Sequence, residues 1–561
     1  MTFNFWINMN NLLYRLRRRL AIPRASWQMA VLGLLGGLAA SVLIVSFLLF
    51  IQFLKDLFSQ LIVEFPFLTH NTPLLGAVII LLIATSLGLK YYRLGIPFVI
   101  YRIRSHNGSM PLKNTINQFI GAGISVASGF VVGREGPAVH LGAAGSGWVG
   151  HWFRLPNNAI RVLSASGIAA GIAATFNTPL AAVIFVMEVV LKEYKMHMAV
   201  PVLLAATCGA IVHGFAFGDG HDISSAMFGQ EAQFMLNSLP AISWKLAGSL
   251  LSLGITLGLL SVIFGFALNR VTTLSYHISL RWRLLLAGSI TCLLTWWMPD
   301  LGITEMEAIT MQLDGKLAAS TIAALFFAKM VATTVALGLG IPGGIIGPLY
   351  TLGALAAGCF LAVMSNYFQW DPALTPLFLI IGMGSMMAAS LHAPMASMIA
   401  IMEVTNSPSV MVPAMLVMIP AQLVVSQVFN MPSMFVQQMK MQGMSYAQSP
   451  VVMNLQKTGA LAMMETNYQW LDEVKDLHQS KGHLLAREEG EEHDRLFFID
   501  PSNGERWRME GIDQQSSLAV AYQRLRRARK GAVYVYGDSR EQLLGIISWQ
   551  LLAQYLHEEV S

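Results

Sequence analysis

Gly133-Arg134-Glu135-Gly136-Pro137 is the stretch on which the reading of this chain depends. It carries two opposite charges inside one of the most apolar regions of the sequence, with hydrophobic stretches on both sides. Ionisable groups at membrane depth are costly, so they face a protein interior or a water-filled path. The glycines let the backbone turn sharply and approach a ligand. Pro137 suits the first turn of a helix, where its missing N–H is not needed. The helix that follows aims unpaired backbone N–H groups at the loop, which makes an anion site. An acidic side chain thus stands where an anion would sit, and that conflict is the starting point for function.

Composition sets the setting. The chain has 561 residues, 55% of them hydrophobic and 12% charged, and its mean hydropathy is +0.55. This describes a polytopic membrane protein with some soluble mass. The net charge of +5 is small for the length and the basic residues form no dense patch, so no nucleic-acid partner is expected. Cys208, Cys292 and Cys359 lie in apolar segments without metal-ligand spacing and read as buried small hydrophobes. His140 and His392 read as packing or helix–helix hydrogen-bonding residues, because no His/Glu spacing here matches a metalloenzyme helix. Neither an enzymatic reaction nor a cofactor or metal is expected.

The first fifty residues contain no acid, and Arg15, Arg17, Arg18, Arg19 and Arg24 precede the apolar run 27–53. That run is too long for a signal-peptide core and reads as a retained span. The arginines place the N-terminus in the cytoplasm, and 12–20 has the pattern of an amphipathic surface helix. Further apolar segments follow at 73–91, 115–132, 137–153, 162–190, 198–218, 243–268, 283–299, 318–338, 345–366, 374–404 and 410–429. Several are short or interrupted by Gly and Pro, which is tolerated only inside a protein or along an aqueous cavity. Lys329, alone in an apolar segment, either snorkels or pairs with a buried acid, with a pore role as the alternative.

An internal repeat is visible. Phe176-Asn177-Thr178-Pro179-Leu180-Ala181 leads to Met187-Glu188-Val189, and Leu391-His392-Ala393-Pro394-Met395-Ala396 leads to Met402-Glu403-Val404, 215 residues later. Earlier, Pro137-Ala138-Val139-His140-Leu141-Gly142 is matched by Pro348-Leu349-Tyr350-Thr351-Leu352-Gly353 at an offset of 211. Two matches in one order indicate a duplicated membrane unit, and such halves commonly have opposite orientation with the ligand site between them. The repeat pairs the loop before Pro137 with Gly338-Leu339-Gly340-Ile341-Pro342-Gly343-Gly344-Ile345-Ile346-Gly347-Pro348. Two helix N-termini converging in low dielectric favour an anion without burying a full opposite charge.

From Ser445 the composition turns to mixed charge, and a soluble domain begins. Segment 466–480 reads as a helix, 496–499 as a strand, Pro501-Ser502-Asn503-Gly504 as a turn, and 516–530 as a helix capped by Ser516 or Ser517. Strands at 532–536 and 543–547 flank the Gly537-Asp538 turn, and a last helix covers 549–558. The order gives a small α/β module, present once or twice.

Together these loops resemble the ClC family of chloride channels and proton-coupled chloride exchangers. Residues 133–137 match that family's Gly-(Lys/Arg)-Glu-Gly-Pro signature, and 344–348 match its Gly-x-Phe-x-Pro motif with Ile346 in place of phenylalanine. Gly95-Ile96-Pro97 is similar to the end of its Gly-Ser-Gly-Ile-Pro motif, and the tail resembles its CBS-domain pair. The resemblance implies an all-α polytopic membrane protein of the ClC fold, with two inverted-repeat halves, plus a small cytoplasmic α/β CBS-like domain. Its parts would be a basic cytoplasmic segment 1–26, a transmembrane domain 27–440 with halves at about 27–218 and 243–440, and the CBS-like domain 441–561. It further implies a homodimer with one pore per subunit, multi-pass in a bacterial inner membrane with both termini cytoplasmic, and partners limited to chloride or similar small anions, protons and the lipid bilayer. Glu135 would be the gating glutamate. The backbone at Gly133, Arg134, Gly136, Ile345 and Ile346 would hold the anion, and Arg134 would either draw anions to the outer mouth or serve as a structural partner.

The departures from the family pattern carry as much information as the matches. The central serine falls at Leu94 and the central tyrosine at Phe435, with Met434 the alternative, so neither anion-facing hydroxyl is present. A hydrogen bond to a charged group contributes about 1.5–3 kcal/mol, so weaker or reordered anion selectivity is expected, with the Phe435 ring as an apolar gate. The second glutamate of the family's exchangers falls at Val189, directly after Glu188. That favours passive anion conduction, and Glu188, matched by Glu403, reads as structural. In the tail, Leu551 stands where an aspartate often holds a nucleotide ribose, so a dimer-stabilising or gating role is expected rather than adenine-nucleotide binding. Three readings follow: a proton-gated anion channel, a proton-coupled anion exchanger, and an anion-responsive sensor or scaffold.

Overall fold

The computed structural model describes residues 13–23, 26–92, 95–218, 242–299, 305–313, 317–365, 367, 374–444, 450–471, 483–488, 495–499, 504–539 and 542–560. Leu94, the turn at 501–503 and most of 466–480 lie outside the described residues. The chain divides into two compact units: Gly33–Gly147 with Leu163–Ser445, and Met1–Leu32 with Trp148–Val162 and Tyr446–Ser561.

The larger unit is helical. Among the described residues, seven helices are long and apolar enough to cross a membrane, Trp27–Glu64 and Trp244–Ser275 being the longest. On Trp27–Glu64, Val31, Leu35, Leu38, Val42, Leu49 and Phe53 stay exposed, while Ala40, Ile44, Phe47 and Ile51 are buried. One apolar face therefore packs inward and the other is left for hydrocarbon, as expected of a chain whose surroundings are lipid. The helix Asn157–Phe176, made largely of Ala, Gly, Ser and Ile, is almost wholly enclosed, and its first residues to Val162 belong to the smaller unit.

Two segments that read as continuous from sequence are broken. The first divides into Asn157–Phe176 and Pro179–Phe185, and the second into Thr375–Leu391 and Pro394–Thr405. Each break has a residue in the left-handed region, Asn177 at φ 56° and His392 at φ 56°, two residues before a proline. A left-handed residue ends the helix, and proline then opens the next one at a new angle. The same break at equivalent positions is the repeat expressed in the backbone.

Glycine contacts carry the same repetition. A Cβ on Gly142 would overlap Gly167 O, and one on Gly353 would overlap Gly382 O. Each half thus packs the helix after its glycine-rich loop against the next helix at backbone distance, which a larger side chain would prevent.

In the smaller unit two sheets form, with strand orders β1-β2-β3-β4 and β5-β6-β7. They are β1 Tyr468–Trp470, β2 His483–Glu488, β3 Arg495–Ile499, β4 Arg506–Arg508, β5 Glu510–Asp513, β6 Ala532–Tyr536 and β7 Leu543–Ser548. Within the expected helix from 466, Tyr468–Trp470 form a strand instead. Tyr468 and Trp470 alternate onto the cluster around Leu485 and Ile546, and aromatic side chains at this spacing favour a pleated edge. The helix Leu518–Leu525 is shorter than expected and follows Ser517 as cap. Arg529 at φ 51° and Gly531 at φ 77° turn the chain before β6. Asn158 belongs to this unit: its Nδ2 donates to Leu20 O at 2.9 Å and Ala21 O at 3.2 Å.

Candidate functional site

The two glycine-rich loops meet. Gly133 N donates to Gly344 O at 2.8 Å, and Gly344 N donates to Gly133 O at 2.6 Å. This reciprocal pair is an isolated antiparallel bridge between residues far apart in sequence. It places the first turns of the helices Glu135–Trp152 and Ile346–Met364 against each other. A Cβ on Gly136 would come within 2.8 Å of Gly344 Cα, and one on Gly344 within 2.6 Å of Gly136 N. Glycine is required here because backbone meets backbone. The N–H of Gly133 is spent on this bridge, so Gly133 shapes the site by spacing.

Glu135 opens its helix and is only 2% exposed. Its Oε2 accepts the N–H of Gly347 from the other half at 3.2 Å. A Cβ on Gly133 would overlap the same oxygen, and one on Gly344 would approach it to 2.9 Å. The carboxylate therefore fills the space that the absent glycine side chains leave open. It sits where two helix N-termini present their donors, ends that favour negative charge. Arg134 is half-buried and within electrostatic reach of the acid. Ile345 and Ile346, each 3% exposed, are the cap and first residue of the second helix.

A cavity of about 310 Å³ leads from this meeting point, lined by Gly136, Gly344, Ile345, Gly95, Ile96, Pro97 and Phe435 among others. Phe435 lies in the helix Met434–Met441 and is 2% exposed, with its ring edge-on to Phe185 at 6.5 Å. The structure thus brings together Glu135, Gly136, Ile345, Phe435 and the Gly95 loop. Gly95, at φ 80°, donates its N–H to Gln118 Oε1 at 2.8 Å. Gln118 was not singled out from sequence. Its signal was a fully buried amide in an apolar helix, which needs a partner.

Glu188 and Glu403 act on one another's halves. The Glu188 carboxylate accepts from Met395 N at 3.3 Å and Ala396 N at 2.8 Å. Glu403 accepts from Leu180 N at 2.8 Å and Ala181 N at 2.7 Å. Each acid therefore caps the helix that begins at the other half's proline, satisfying orphan N–H groups with a charge-assisted bond. Glu188 is carried on a π-helical turn, Val186–Leu191, which continues Pro179–Phe185. Val189 is buried and lines a separate cavity of about 260 Å³ with Glu188, Lys192, His392 and Phe435.

His140 packs as expected, whereas His392 is the left-handed residue that ends Thr375–Leu391 and lines the second cavity. His140 is fully buried, stacks on Phe98 at 5.6 Å and lies 3.4 Å from Thr115 Oγ1. Lys329 is buried within Ala319–Leu339.

A family profile described as "Voltage gated chloride channel" matches residues 76–426. The H(+)/Cl(-) exchange transporter ClcA of Vibrio cholerae is 30% identical over 306 residues, which are 53% of this chain and 63% of that protein. ClcA of Yersinia pseudotuberculosis is 27% identical over 359 residues, 61% of this chain and 73% of that protein. The chain thus spans somewhat less than two thirds of the Vibrio relative. Among solved structures, a slow cyanobacterial Cl⁻/H⁺ antiporter matches with TM-score 0.63 and 20% identity, covering 74% of this chain and 98% of that one. A eukaryotic CLC transporter matches with TM-score 0.63 and 16% identity, covering 96% of this chain and 98% of that one.

Proposed function

The chain belongs to the voltage gated chloride channel family, and from that premise we propose that it exchanges a small anion, chloride or one like it, for protons. The observation that carries this reading is Glu135: an enclosed carboxylate that holds a backbone donor from the opposite half, in the place an anion would take. Protonation removes its charge and weakens its hold on the donor, so anion and proton occupancy of one site are linked. The relatives named above as H(+)/Cl(-) exchange transporters weigh in the same direction.

Passive conduction is the second reading, and Val189 favours it. An apolar residue at that position offers no proton a place beside Glu188. With Leu94 and Phe435 lacking hydroxyls, backbone amides carry the anion selectivity in either case. The working assembly in this proposal is a homodimer in the bacterial inner membrane, one pathway per subunit and both termini in the cytoplasm. The tail has a dimer-stabilising or gating role without adenine nucleotide.

Reconstitution in liposomes decides between the readings. A chloride gradient that drives protons uphill supports exchange. Chloride flux without proton movement replaces exchange with conduction. Absence of anion flux at every pH would sink both and leave an anion-responsive sensor.

A further inference from the structure

The two cavities of the larger unit share a wall. Phe435 lines the one that opens on the glycine-rich loops, and it also lines the one beside Glu188 and Val189. In that second cavity stands His392, at the break between Thr375–Leu391 and Pro394–Thr405, with φ 56°. The matching turn in the other half is made by Asn177, also at φ 56°. The backbone alone therefore does not call for an imidazole. Among the described residues, His392 Nε2 is sealed from solvent and has no hydrogen-bond partner. Buried polar atoms are nearly always paired, so an orphaned ring nitrogen at a cavity wall needs a physical account.

The other charged and polar groups on this wall are Glu188, Lys192, Arg104 and Ser433. Glu188 is committed to Met395 N and Ala396 N. Arg104 donates through Nε and Nη2 to Val190 O at 3.3 and 3.1 Å, and neither a guanidinium nor an ammonium group has an acceptor to offer. The Ser433 hydroxyl can pass a proton but not hold one. Of these groups, the imidazole takes a proton at one nitrogen and releases one from the other. Lys192 lies within electrostatic reach of the ring, which favours handing a charge on over keeping it.

We infer that His392 is the relay through which protons reach Glu135. The ring accepts a proton from water in the second cavity and releases one from its opposite nitrogen, through water past the Phe435 edge, to the Glu135 carboxylate. Each passage binds one proton and frees one, and the ring regains its first tautomer by exchange with water. The inference rests on the exchange reading above. It puts the inner proton acceptor on the second half of the repeat, across the cavity from Val189.

The test is the reversal potential of the full chain under opposed chloride and proton gradients, for wild type and His392→Asn. Asparagine keeps the left-handed turn, as Asn177 does in the other half, and does not titrate. The expected result is chloride flux within about threefold of wild type and a proton-to-chloride ratio at least about tenfold lower, as loss of a positioned acid–base group implies. Val189→Glu puts an acid on the same cavity wall, and in the His392→Asn background it should bring the ratio back to within about twofold of wild type. An unchanged ratio in His392→Asn overturns the relay and leaves exchange intact. So does a parallel fall in chloride and proton movement that Val189→Glu does not reverse, which would assign His392 to the turn alone. A wild-type chain that moves chloride without protons overturns the exchange reading, and the relay with it.

Discussion

Replacing Glu135 by Gln keeps the shape of the side chain and removes its resident charge. The native carboxylate accepts the Gly347 N–H at 3.2 Å while only 2% exposed, so an arriving anion must take that donor from it. A hydrogen bond to a charged group contributes about 1.5–3 kcal/mol and a neutral one about 1 kcal/mol. The Gln oxygen retains the neutral bond, which weakens the anion's competitor by about 0.5–2 kcal/mol. At 1.4 kcal/mol per factor of ten, anion affinity should rise about 2- to 30-fold. Relief of like-charge repulsion acts in the same direction, so the upper part of that range is expected. Calorimetric titration of the detergent-solubilised chain with bromide near neutral pH reads the affinity. Liposome flux across a pH series reads the gate: wild-type flux should rise as pH falls and the carboxylate is protonated, while the variant should show a flat profile. Unchanged bromide affinity together with an unchanged pH profile would mean that Glu135 does not compete with the anion, and the assignment would be withdrawn.

Glu188→Gln and Glu403→Gln should each cost about 1–3 kcal/mol of stability, because each weakens two bonds at a helix N-terminus; thermal unfolding in detergent would show one variant as wild type if the reciprocal capping were incidental. Gly344→Ala should abolish flux, since its Cβ would fall 2.6 Å from Gly136 N and 2.9 Å from Glu135 Oε2; retained flux would show that the loops need not meet this closely. Phe435→Tyr adds a hydroxyl at the cavity wall and should tighten chloride binding about 3- to 10-fold, which calorimetry would contradict by returning the same affinity. Asn158→Ala removes two donors to Leu20 O and Ala21 O and should cost about 1–3 kcal/mol; limited proteolysis that finds residues 13–23 equally protected would refute this.

Much of the membrane unit is legible in the sequence because its signals are local. Apolar length marks the spans, and Pro179 and Pro394 at equivalent positions mark the repeat. The structural role expected of Glu188 from its match to Glu403 agrees with the geometry, in which both acids hold backbone N–H groups. What the sequence does not say is which ones. Met395 and Ala396 lie over 200 residues beyond Glu188, and their N–H groups carry no identity that a residue code reveals. The tail shows the opposite failure: the segment starting at 466 has helix-compatible residues, but Tyr468 and Trp470 gain more by pairing with β2 over a shared apolar cluster.

The stretch 133–137 divides the two kinds of knowledge. By itself it determines that an acid opens a helix in an apolar setting, with glycines to admit a close neighbour and a proline to start the turn. These follow from side-chain chemistry and backbone freedom, which travel with the residues. Only the tertiary structure decides that Gly133 and Gly344 exchange hydrogen bonds, that Gly347 rather than a neighbour donates to Glu135, and that Phe435 shares the cavity beside them. Backbone donors are nearly alike at every position along the chain. Which of them meet is set by how helices pack, and packing is a property of the whole unit.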